Sequence, residues 1–194
     1  MLISHKHKFI SLDPPKTGTK CRQDFLSDYG DYVRDLQHAN LAEVQNYFHE
    51  FDLSDYFTFT FVRNPWKRYL SWFNFLNRDN PKNNISPETF HRFMFSHLSE
   101  TSRTKDLRIT LPQSFWFQEQ GKVNVDFIGC LENITEDMNY VLNKININIQ
   151  FENRVENKSM YKLNFDNAYN QELIDLVAQK EESVIRLKNY NFNT

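Results

Sequence analysis

The stretch Tyr56-Phe57-Thr58-Phe59-Thr60-Phe61-Val62, followed at once by Arg63-Asn64-Pro65, decides the fold. Aromatic and β-branched residues alternate through it, which is the pattern of a strand. Asn64 as a cap and Pro65 at the first helical position then predict a helix running to about Leu76. The same succession occurs upstream. Lys8 to Leu12 is a short apolar run closed by Asp13-Pro14-Pro15. Thr17-Gly18-Thr19 then opens a helix that carries Phe25 and Leu26 and ends near Gly30. Strand, tight turn and helix are thus written twice.

Between these units, Asn40-Leu41-Ala42-Glu43 has the spacing of a capping box and predicts a helix to about Glu50. Beyond them lies a turn-rich loop from Asp79 to Ile85. Ser86-Pro87-Glu88 then starts a helix carrying Phe90, Phe93, Met94 and Leu98. The polar segment from Ser99 to Leu111 carries no assignment and suits an acceptor-side loop. Val123 to Leu131 reads as one strand and Thr135 to Lys144 as a helix. Ile145 to Phe151 reads as a further strand and Asn170 to Lys188 as one final helix. Strands alternating with helices predict an α/β fold over residues 1–194. The expectation is a single domain with a central, mostly parallel sheet flanked by helices.

Composition narrows the function. The chain has 194 residues, 40% of them hydrophobic, with 18 Phe, enough to build a core without disulfides or metals. A net charge of −2 speaks against nucleic acid or an anionic membrane as the main partner. No run approaches the roughly 18 apolar residues of a membrane-spanning helix, and MLISHKHKF lacks the apolar centre of a signal peptide. A cytoplasmic location is expected. Cys21 and Cys130, outside any CxxC or Cys/His cluster, are expected to be reduced and semi-buried, and no metal site is expected. The aromatic content leaves room for a homodimer surface.

Charge is concentrated locally. Lys16, Lys20 and Arg22 lie in one stretch without an acid, and Arg63, Lys67 and Arg68 in another. In Pro15-Lys16-Thr17-Gly18-Thr19-Lys20, a glycine between hydroxyl residues opens a helix just after a strand. Such a turn lets main-chain N–H groups converge on an anion at the positive end of the helix dipole. The order differs from G-x-x-x-x-G-K-[ST], which disfavours a nucleotide triphosphatase. Arg63 ends the second strand and Ser71 sits two turns into the next helix. A guanidinium fork and a hydroxyl at these places can share one phosphate. Around them, Lys67 and Arg68 are expected to be solvated and Trp66, Tyr69, Leu70, Trp72 and Phe73 to be core. Trp116 is expected to be core with them, although, in an irregular segment beside Gln113 and Gln118, it is the tryptophan best placed to stack on a sugar instead.

Together, in this order, the two elements resemble the 5'-phosphosulfate loop and 3'-phosphate motif of the sulfotransferases that use 3'-phosphoadenosine 5'-phosphosulfate (PAPS). The eight-residue separation of Arg63 from Ser71 is similar to that family's pattern. So is the order of Gln37 to Glu43, Phe59 to Tyr69, Leu111 to Ser114, Val125 to Gly129 through Asn133, Asn157 to Ser159, and Tyr190 to Phe192, which resembles the soluble, carbohydrate-type branch. Lys20 departs from it, standing where the family usually has Ser or Thr.

The resemblance implies a P-loop-like sulfotransferase fold and transfer of a sulfonate group from PAPS to an acceptor hydroxyl, a saccharide favoured, with release of adenosine 3',5'-bisphosphate. It implies that Lys16, Thr17, Gly18, Thr19 and Lys20 hold the 5'-phosphate and that Arg63 and Ser71 hold the 3'-phosphate. Lys158 and Ser159 would close over the nucleotide. Lys16 is also the implied stabiliser of the leaving oxygen. His38 is the implied general base, with Asp24, Glu43 and Glu132 as alternatives. Two other functions remain open from the residues: a P-loop-like nucleotide or small-molecule kinase, and a protein that binds PAPS without catalysis.

Overall fold

The computed structural model describes residues 1–78, 85–99, 107–152 and 162–193. The chain divides into two compact units, Met1–Val62 with Gln113–Glu156, and Arg63–Pro112 with Asn157–Thr194.

The first unit carries the strands β1 (Leu2–Ser4), β2 (Phe9–Leu12), β3 (Asp31–Tyr32), β4 (Phe57–Val62), β5 (Gln118–Glu119), β6 (Lys122–Val123) and β7 (Phe127–Cys130). Its helices are α1 (Thr19–Leu26), α2 (Leu41–Tyr47) and α5 (Ile134–Lys144). The main sheet has the order β3-β1-β2-β4-β7. β2, β4 and β7 pair in parallel, β1 lies antiparallel between β2 and β3, and so four of the five strands run in one direction. Leu12 ends β2 at the same sheet edge where Val62 ends β4. That carboxyl edge is where open α/β sheets take their ligands.

β4 lies inside the sheet, between β2 and β7, and its sequence suits burial on both faces. Phe59 and Phe61 point into a core with Leu2, Phe9 and Leu26, closed by Met138, Val141 and Leu142 of α5. Each such side chain contributes on the order of 1.5–3 kcal/mol. Thr60, one residue out of phase, donates from Oγ1 to the Leu12 carbonyl at 3.3 Å. β7 meets Phe61 with Gly129, where a Cβ would lie 2.5 Å from the ring. The glycine makes room for the phenylalanine.

The second unit carries α3 (Pro65–Asn77), α4 (Pro87–Leu98), α6 (Gln171–Lys180) and α7 (Glu182–Lys188). Asn64 caps α3 by accepting from the Lys67 N–H at 3.2 Å, and Ser86 closes a capping box with Thr89 on α4. Trp66, Tyr69, Leu70 and Phe73 pack with Phe90, Met94, Leu173 and Val177.

Strands β1, β3 and β5 lie outside the sequence reading, and three elements within it differ from it. Val123 to Leu131 is broken, because Asp126 turns its carboxylate onto the Thr58 N–H and hydroxyl at 2.7 and 2.8 Å, leaving β6 in a separate hairpin with β5. Ile145 to Phe151 is no strand. Ile145, Ile147 and Phe151 are buried in the core as irregular chain. The final helix is two helices, interrupted at Glu181, whose side chain is drawn into the interior by Arg68 and Tyr69.

Candidate active site

The loop from Asp13 to Gly18 joins β2 to α1. Lys16 and Gly18 both have positive φ, 69° and 78°, on either side of Thr17. Gly18 suits that conformation and that space, since a Cβ on it would lie 2.6 Å from Leu131 Cδ1. Lys16 has no such freedom, and its left-handed backbone costs on the order of 1 kcal/mol or more. Left-handed residues at alternate positions make the kind of concavity in which successive N–H groups face an anion. The leading amides of α1 follow directly.

The Thr17 and Thr19 hydroxyls both donate to the Pro14 carbonyl, at 2.8 and 3.0 Å. Each hydroxyl has one hydrogen. With those hydrogens held by Pro14, the loop offers an anion its main-chain N–H groups. Lys20 is exposed on α1 and pairs with Asp24 one turn along.

Below the loop lies a buried ion pair that the sequence does not announce. Arg22 belongs to a basic stretch with the look of a surface patch, yet it is fully buried. One guanidinium nitrogen donates to the Thr17 carbonyl at 2.5 Å, another to Asp13 Oδ1 at 3.2 Å, and the group lies 4.6 Å from the Phe61 ring centre. Asp13, also buried, takes a second donor from Gln23 at 2.7 Å.

His38 stands beside the same loop. Its Nδ1 is 2.5 Å from the Asp13 carbonyl oxygen. A carbonyl only accepts, so Nδ1 carries the hydrogen and the Nε2 lone pair of the neutral ring faces the Gln37 amide nitrogen at 3.5 Å. The His38 backbone is left-handed at φ 61°, and its carbonyl receives the Trp116 indole N–H at 3.0 Å. Trp116 is fully buried, a core residue as expected rather than a sugar platform, and its polar end holds His38.

Among the alternative bases, Glu43 is occupied in the capping box, accepting from the Asn40 N–H at 2.8 Å. Asp24 pairs with Lys20, and Glu132 is exposed just after β7. The other histidines have local duties. His5 is bonded to Tyr56, His49 to Asn46 and His91 to Ala168, while the rings of His7 and His97 meet Tyr29 and Phe93.

In the second unit, Arg63 is half-buried between β4 and α3, and Ser71 is half-buried on α3. Lys67 and Ser71 share a face of α3 at i, i+4 spacing, and Lys67 is half-buried over the Phe165 ring at 6.0 Å. Burial raises the Tyr169 hydroxyl well above its usual pKa, and the charge of Arg63 pulls it the other way. Arg68 is the opposite of solvated. It is fully buried, with Glu181 at 2.8 Å and the Ile109 carbonyl at 3.1 Å. Lys158 and Ser159 lie outside the described residues.

Cys21 and Cys130 are not joined by a disulfide, and both are half-buried. Among the described residues no group of His, Cys, Asp or Glu is placed to hold a metal ion, and no helix is long and apolar enough to cross a membrane.

A phosphate-ready turn at the carboxyl edge of a mainly parallel sheet, with a histidine locked beside it, has the form of a group-transfer site for an anionic donor. The chain belongs to the sulfotransferase family, whose model matches residues 1–190. It is also similar to an uncharacterized protein of Archaeoglobus fulgidus, 30% identical over 102 residues that span 52% of this chain and 76% of that one. No solved structure matches it significantly. Membership of the family implies a sulfonate donor and an acceptor.

Proposed function

We propose that the chain is a single catalytic domain, with a P-loop-like sulfotransferase fold, that transfers the sulfonate group of PAPS to a hydroxyl, a saccharide hydroxyl in the first instance. The observation that carries this reading is the loop itself: Lys16 and Gly18 left-handed around Thr17 at the end of β2, in a chain of the sulfotransferase family. PAPS presents two anionic ends, its 3'-phosphate alone bearing about −1.5 to −2 if it titrates like an ordinary phosphomonoester. The 5'-phosphate is assigned to the main-chain N–H groups of Thr17, Gly18, Thr19 and Lys20, with the ammonium of Lys16. The 3'-phosphate is assigned to Arg63 and Ser71, with Lys67 added on the face it shares with Ser71. Lys158 and Ser159 stay in the proposal as residues that close over the nucleotide.

In the reaction the acceptor oxygen attacks sulfur in line with the bond to the bridging oxygen. The acceptor proton passes to His38 Nε2, and the electron pair of the breaking S–O bond stays on the 5'-phosphate, where Lys16 meets it. His38→Gln retains an amide donor for the Asp13 carbonyl but no base. Turnover is expected to fall by about 10²-fold or more, the usual contribution of a positioned base, with the melting temperature unchanged. Full activity in that variant would move the base elsewhere.

Binding separates the donor from its competitors. Adenosine 3',5'-bisphosphate at about 100 times its dissociation constant should add roughly 2.7 kcal/mol of stability, read as a rise in melting temperature. ATP with magnesium should add little. The reverse preference would replace this reading with a kinase, and binding without transfer to any hydroxyl in a labelled-PAPS acceptor screen would leave a nucleotide-binding protein.

A further inference from the structure

We infer that Arg22 is the positioning residue of the donor loop, holding the Thr17–Gly18 peptide so that its N–H faces the 5'-phosphate; this rests on the donor reading above. The geometry is specific. Arg22 is fully buried on α1, and its fork joins two points of the loop, the Thr17 carbonyl at 2.5 Å and Asp13 Oδ1 at 3.2 Å. A trans peptide is planar, with C=O and N–H pointing in opposite directions. Drawing the Thr17 carbonyl inward onto Arg22 therefore turns the Gly18 N–H outward, away from the protein interior. Gly18 is the left-handed N-cap of α1. Its amide is thus aimed by the same contact that closes the loop.

The pair also reaches His38. Asp13 accepts Arg22 and Gln23 through its carboxylate, and its own carbonyl accepts His38 Nδ1. One residue fixes the end of the donor loop and the tautomer of the base. Burial costs this pair much of its Coulombic gain, so stability alone is a poor reason for it. Arg in particular suits the place, because two separate nitrogens of its rigid fork serve a carbonyl and a carboxylate at once. Lysine would keep the charge and lose the fork.

The test compares two probes on the same protein: adenosine 3',5'-bisphosphate, and adenosine 3'-monophosphate, which lacks the group the loop would hold. Calorimetric dissociation constants give their ratio in the wild type, in Arg22→Lys, and in the double variant Arg22→Met/Asp13→Asn. The double variant removes the charges of Arg22 and Asp13 together, leaving the Met1 amino group, 3.5 Å from Asp13 Oδ2, beside a neutral amide, and supplies a second protein to test if Arg22→Lys does not fold. Affinity for the bisphosphate is expected to fall about tenfold, or about 1.4 kcal/mol, while the monophosphate changes little, so the ratio collapses. Equal loss of both ligands, or an unchanged ratio in a folded variant, overturns the positioning role. A wild type that does not prefer the bisphosphate overturns the donor reading itself.

Discussion

Replacing Lys16 with Ala is expected to lower turnover by about 10²- to 10³-fold, the loss seen when a donor aimed at developing charge is removed. What matters is when the charge appears. In the bound donor the bridging oxygen shares its electrons with sulfur, and it becomes an anion only as that bond breaks. A group that answers this change acts in the transition state more than in the ground state, so the effect belongs in kcat rather than in donor affinity. Lys16 also has a left-handed backbone, a strain that the alanine variant keeps while it loses the charge. Lys16→Gly separates the two, because glycine takes φ 69° without penalty. Both variants should lose the same turnover, while only the glycine form gains stability. Single-turnover transfer from labelled PAPS measures the first quantity and thermal denaturation the second. If kcat survives in the glycine variant, Lys16 has no part in the chemistry.

The parts of this site that could be read in the sequence are those written locally. Asp13-Pro14-Pro15 ends β2, Asn64-Pro65 starts α3, and Asn40 with Glu43 starts α2, each through turn or cap chemistry that acts within a few residues. The alternation of Phe and Thr in β4 likewise needs no distant partner to be recognised. What could not be read depends on long-range partners. Arg22 and Arg68 look like surface charge, and both are buried because Asp13 and Glu181 receive them. Asn170 to Lys188 reads as one helix until Arg68 and Tyr69 draw Glu181 inward at its middle. The His38 ring is oriented by a carbonyl 25 positions earlier and its backbone held by an indole 78 positions later. A histidine in the sequence announces a possible base. Only the fold says which nitrogen would take the proton.

Glu181→Ala is expected to destabilise the protein by about 3–5 kcal/mol, the penalty for leaving one member of a buried ion pair without its partner. Glu181 Oε1 receives Arg68 at 2.8 Å and the Tyr69 hydroxyl at 3.0 Å, and all three side chains are within 1% of full burial. Burial and the neighbouring carboxylate both hold the Tyr69 phenol well above its usual pKa, so it stays a neutral donor throughout the working range. Without the carboxylate, Arg68 keeps the Ile109 and Leu111 carbonyls but loses the anion that balances its charge. Glu181→Gln should be milder, since its amide oxygen still accepts from both donors. The double variant Arg68→Met/Glu181→Leu should recover most of the loss, because the surroundings are the apolar side chains of α3, α4 and α6. Urea denaturation of the wild type, the two Glu181 variants and the double variant measures these differences. A single variant within about 1 kcal/mol of wild type would mean that water reaches Arg68 and that the pair is a surface contact in effect. A double variant no better than the single ones would give Glu181 a different role, in which its side chain holds the break between α6 and α7, where the chain leaves one helix and starts another.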